Sequence, residues 1–101
     1  MKYRSKLSII ADILQAANNG AKKTRIMYLA NLSYRLLEKY LKVVIDANLL
    51  MCNGNRYEVT EKGRLFLQKF VSYSSRFSEI KKEFELLKFE RKVLEQMVEG
   101  S

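Results

Sequence analysis

Apolar residues recur at helical spacing through the first part of the chain. Ile9, Ile10, Ile13, Leu14 and Ala17 mark one face of a helix from about Ser5 to Ala17. Asn18-Asn19-Gly20 supplies its stop, glycine being suited to the left-handed position after a helix. Thr24 reads as the N-cap of a short second helix, Arg25 to Asn31, with Ile26, Leu29 and Ala30 turned inward. Leu32 fills the turn, and Ser33 reads as the cap of a third helix ending near Ala47. Its core stripe is Leu37, Leu41 and Val44, flanked by Tyr40 and Leu36. At about 100° per residue, Arg35, Glu38, Lys39 and Lys42 gather on the opposite face. Asn48 then stands where the chain leaves the helix, a residue that tolerates the left-handed region better than most. Leu49–Cys52 and Arg56–Val59 read as two strands, joined by Asn53-Gly54-Asn55, a strong hairpin signature.

Thr60 reads as the cap of a last helix that meets no proline or turn signal before Gly100. Gly63 falls in its first turn, where poor helix propensity costs least. At ~1.5 Å per residue such a helix would run roughly 57 Å, longer than a core of this size can cover. It carries Phe66, Phe70, Tyr73, Phe77, Ile80, Phe84, Leu87, Arg91, Leu94 and Val98 at gaps alternating four and three, apolar at every position except Arg91. That alternation is a coiled-coil seam with Phe70, Phe77, Phe84, Arg91 and Val98 at a. Leu65, Phe66 and Phe70 are expected to pack on the chain's own domain, and a second chain to cover the rest. The dimerisation residues are therefore Phe70, Tyr73, Phe77, Ile80, Phe84, Leu87, Leu94 and Val98. Flanking charges, Lys69 and Arg76 early against Glu83 and Glu90 late, favour an antiparallel pair.

Charge sharpens this division. The chain has 101 residues, 19 of them basic and 11 acidic, and a net charge of +8. Nine basic residues against Asp12 and Glu38 place +7 of it between Met1 and Ile45. The segment from Ser72 onward is balanced, six against six. Such asymmetry points to a polyanionic partner for the first half. Histidine is absent, which excludes histidine acid–base chemistry and histidine metal ligation. The lone Cys52 builds no thiolate cage and no internal disulfide, suits a reducing intracellular setting, and reads as a small apolar strand residue. The four glycines are too scattered for a phosphate loop. No enzyme activity, metal or cofactor is expected, and no membrane span or signal peptide.

Helix, short helix, tight turn, amphipathic helix and hairpin make a winged helix-turn-helix: a mainly α fold with an α+β wing, over residues 1–64. The dimerisation helix occupies residues 65–101. KTRIMYLANLSYRLLEKYLKVVIDANLL followed by YEVTEKGRLFL resembles the small archaeal winged-helix proteins with a C-terminal coiled coil, the Sulfolobus "ten-a" group of basic, chromatin-associated proteins. Asn48 departs from the glycine common at that position. The resemblance implies a nucleoid-associated homodimer that binds double-stranded DNA with little sequence preference, its two helices antiparallel. A sequence-specific regulator on the same fold and a winged-helix protein-interaction module are the alternatives.

In this geometry the third helix enters the major groove while the wing lies alongside. The DNA-binding candidates are Lys22, Lys23, Arg25, Ser33, Tyr34, Arg35, Glu38, Lys39, Lys42 and Arg56. Ser33 heads a helix whose free amides suit a phosphate, and Arg56 makes the wing a second cationic probe. Glu38 either accepts from a cytosine amino group or pairs with Lys42 one turn on. Tyr3, Tyr28 and Tyr57 belong more readily to core or rim than to base stacking.

Overall fold

The computed structural model describes residues 4–100. Helix α1, Lys6–Ala16, starts at Ser5, whose side chain accepts the Ser8 N–H, and buries Ile9, Ile10, Ile13 and Leu14. A two-residue strand, β1 (Ala21–Lys22), follows Gly20 and runs directly into α2, Lys23–Leu29. Thr24 therefore lies inside α2 and does not cap it. The position before the helix is Lys22, which makes no side-chain capping bond. Strand pairing sets this boundary: Ala21 lies opposite Tyr57 and Lys22 opposite Arg56, which holds the chain extended up to Lys22.

Helix α2 ends on Asn31, at φ 53°. The Leu32 N–H reaches the Met27 carbonyl and the Asn31 N–H the Tyr28 carbonyl, the paired bonds of a Schellman cap. Ile26 and Ala30 are buried as expected, but Leu29 is half exposed and Met27 packs on the core in its place. Helix α3, Tyr34–Asp46, is capped by Ser33, which accepts the Leu36 N–H at 3.2 Å. It buries Leu37, Tyr40, Leu41 and Val44. Its end repeats the pattern of α2, with Asn48 at φ 61°, Leu49 N–H bonded to the Val44 carbonyl and Asn48 N–H to that of Ile45.

The wing is β2 (Leu50–Asn53) and β3 (Arg56–Val59), antiparallel, with β3 central in the order β1-β3-β2. Asn53 lies opposite Arg56, so Gly54 and Asn55 alone make the turn. Only Gly54 takes positive φ, +67°, the sign pattern of a type II′ hairpin, which needs glycine at its first central position. Cys52 lies in strand β2, as its reading as a strand residue expects, at an exposed position; its thiol donates to the Gly54 carbonyl.

Helix α4, Glu61–Glu99, opens on Thr60, which accepts the Gly63 N–H at 3.0 Å and donates to the Asn48 carbonyl at 2.7 Å. Phe66 and Leu67 pack against the core, whereas Leu65, expected inside, is half exposed. Phe66 thus packs as expected and Phe70 is half-buried, while Leu67 takes the inward place expected of Leu65. The chain forms two compact units, Met1–Phe70 and Val71–Ser101. In the second, Tyr73, Phe77, Ile80, Phe84, Leu87, Leu94 and Val98 are all exposed, and so are Leu86, Phe89, Val93 and Met97 off that seam. No described helix is long and apolar enough to cross a membrane.

Candidate nucleic-acid interface

Burying Leu37, Leu41 and Val44 turns Tyr34, Arg35, Glu38, Lys39 and Lys42 outward along α3, and all five are exposed. The Ser33 hydroxyl satisfies one amide of the first turn and leaves its neighbours exposed. No acidic residue sits in that turn, so the positive end of the helix dipole is uncompensated. Arg35 and Lys39, one turn apart, form no ion pair among the described residues; the Lys39 ammonium lies 5.5 Å from the Tyr40 ring centre. Lys42 is partly occupied, 3.4 Å from Asp46 and four residues before it.

Helix α2 begins with Lys23, Thr24 and Arg25 and likewise has no acid in its first turn. Lys22 and Arg25 are exposed. Lys23 crosses to Glu38 on α3, with its ammonium 5.0 Å from the Tyr34 ring centre. Glu38 is thus paired with Lys23, and of its two expected roles the pairing with Lys42 does not form, Lys42 turning to Asp46 instead. Arg56 is exposed on β3, but its guanidinium donates to the Gly20 carbonyl at 2.9 Å and so ties the wing to the turn after α1. A carbonyl bond leaves the positive charge unneutralised, so Arg56 is both a strut and a cation.

Two cations escaped the sequence reading. Arg4 donates to Asp12 at 2.5 Å and to the carbonyls of Ala30 and Asn31, and so closes the end of α2. Lys62 donates to the Ala47 carbonyl at 2.8 Å and closes the end of α3. The Arg4–Asp12 and Lys23–Glu38 pairs take up both acids of the first 45 residues. Of the other described cations of that stretch, Lys6, Lys22, Arg25, Arg35 and Lys39 are exposed and form no ion pair among the described residues, and Lys42 is shared with Asp46; Arg56, beyond that stretch, lies opposite Lys22 in the sheet. Tyr28, expected in core or rim, is 81% exposed, and Tyr57 packs partly on the core. Tyr3 lies outside the described residues. The dimerisation candidates Phe70 to Val98 all lie on α4.

Residues 3–78 match the winged helix-turn-helix family. Two proteins of Methanocaldococcus jannaschii are similar in sequence: MJ0290, 39% identical over 67 residues, and MJ0287, 39% identical over 62. The matches cover 65% and 60% of this chain but only 32% and 64% of those proteins. Among solved structures, Sso10a-2, a DNA-binding protein from Sulfolobus solfataricus, superposes with a TM-score of 0.67 at 27% identity. That alignment covers 83% of this chain and 96% of the Sulfolobus protein.

Proposed function

The chain belongs to the winged helix-turn-helix family, and from there we propose that it binds double-stranded DNA, with α3 in the major groove and the wing alongside. The observation that carries this is the α3 face itself. Arg35 stands exposed in the first turn of α3, whose N-terminus no acid compensates, and Lys39 stands exposed one turn on, neither with an ion-pair partner among the described residues. Phosphates docked there meet side-chain cations and backbone amides together. Lys22, Arg25 and Arg56 extend the positive surface. Likeness to a DNA-binding protein over nearly the whole length of that protein supports the reading. Binding of this kind is dominated by the backbone and suits a chromatin-associated, nucleoid role with low sequence preference. The seam on α4 suits a homodimer. No catalytic step and no cofactor belong to this function.

Salt titration of binding to mixed-sequence duplex tests it. If a dimer neutralises ~6 phosphates, log K falls against log salt with a slope near −5. Arg35→Ala and Lys39→Ala are each expected to flatten that slope by roughly one unit for each protomer on the duplex. Slopes unchanged in both variants would place the DNA on another face. Footprints confined to defined sites in the presence of competitor would favour a regulator over a chromatin protein.

A further inference from the structure

Glu38 stands on a face otherwise suited to phosphate. It is flanked on α3 by Arg35, one turn before, and by Lys42, one turn after. A bare carboxylate there would repel the DNA backbone and weaken docking. Lys23 removes that repulsion: its ammonium, also lying over the Tyr34 ring, is held at Oε1 of Glu38. That lysine lies between an acid and an aromatic face, with its ammonium at only one of the two carboxylate oxygens. Oε2 has no hydrogen-bond partner among the described residues, and the Glu38 side chain is 45% exposed. The pair is therefore a neutral unit that leaves one carboxylate oxygen available as an acceptor in the middle of the α3 face.

We infer that Glu38 is a base-reading residue that selects cytosine. A carboxylate in the major groove accepts from the cytosine N4 amino group, and thymine offers only an acceptor and a methyl group at that edge. The inference rests on α3 docking in the major groove, and it makes binding depend on base sequence at one step of the site. Lys23 is then the counter-charge that lets the carboxylate enter an anionic groove, and is not a phosphate contact of its own.

The experiment measures binding of the full chain to duplexes in which each position of the site is varied in turn, at one salt concentration. The wild type is expected to prefer cytosine over thymine at one position, on the order of tenfold. Glu38→Gln should move the preference at that position toward adenine, because an amide pairs with adenine N6 and N7. Glu38→Ala should abolish the preference, raise affinity for the non-cytosine duplexes relative to the cytosine one, and steepen the salt slope by about one unit for each protomer on the duplex as Lys23 is freed for phosphate. Duplex binding with no cytosine preference in the wild type, or a preference that survives in Glu38→Ala, would overturn the inference and leave α3 docking intact. Failure of the wild type to bind duplex at all would overturn both.

Discussion

At Gly63 a Cβ would sit 2.2 Å from the Leu49 carbonyl oxygen and 2.7 Å from Val59 Cγ1. Both neighbours belong to the base of the wing, so the first turn of α4 approaches it at backbone distance. Gly63→Ala is expected to destabilise the protein by about 2–3 kcal/mol, measured by urea unfolding, as overpacking of a buried site does. A change below ~0.5 kcal/mol would show that α4 can shift away from the wing at little cost. Thr60, three residues earlier, joins the same corner twice, through the Gly63 N–H and the Asn48 carbonyl. Thr60→Ala should cost about 1–2 kcal/mol and Thr60→Ser much less. The two residues differ in how far the sequence reveals them. Thr60, Ser5 and Ser33 act on amides within their own turn, so the local sequence suffices to find them. Gly63 answers to Leu49, and Glu38 to Lys23, partners that only the folded chain brings near. Propensity explains a glycine at Gly63 merely as tolerated, whereas packing makes it necessary.

Among the elements, the amphipathic helices and the hairpin follow from periodicity and turn chemistry alone, and the seam of α4 is plain in its spacing. Strand β1 is the element the sequence conceals. Two residues carry no strand pattern, and Ala21–Lys22 is extended because β3 offers it an edge. That pairing moves the start of α2 ahead of Thr24, which otherwise looks like an ordinary cap. It also gives Arg56 a second task, since its guanidinium bonds to Gly20 at the entry of β1. Arg35 and Arg56 are consequently separable by experiment. Arg35→Ala should weaken DNA binding and leave thermal stability within ~0.5 kcal/mol, as exposed substitutions usually do. Arg56→Ala should weaken binding and also lower stability by about 1 kcal/mol, the worth of a hydrogen bond to a charged donor less its exposure. Equal melting curves for the two variants would assign the Gly20 bond no structural weight.

For the whole molecule, the exposed seam of α4 sets the assembly. Phe77, Ile80, Phe84, Leu87 and Leu94 are each more than half exposed along a single heptad seam. Burying a side chain of this size is worth about 1.5–3 kcal/mol, so a second copy gains substantially by pairing there. Charge decides the direction. In a parallel pair Arg76 would face Lys81 of the other helix and Glu90 would face Glu95, with only Glu83 and Lys88 well matched. In an antiparallel pair with Phe77 layered on Ile80 and Phe70 on Leu87, Lys69 meets Glu90 and Arg76 meets Glu83, each twice by symmetry. Exposed pairs contribute only ~0.2–1 kcal/mol apiece, but reversal changes the sign of several together. The expected assembly is therefore an antiparallel homodimer. Cys52→Ser combined with Leu94→Cys tests it under mild oxidation. Parallel helices would bring the two thiols together in one layer and crosslink readily. In the antiparallel pair each lies about 15 residues from the twofold axis, so the thiols stand roughly 45 Å apart and stay reduced. Efficient crosslinking within a dimer, with sedimentation confirming that no larger species forms, would exclude the antiparallel arrangement.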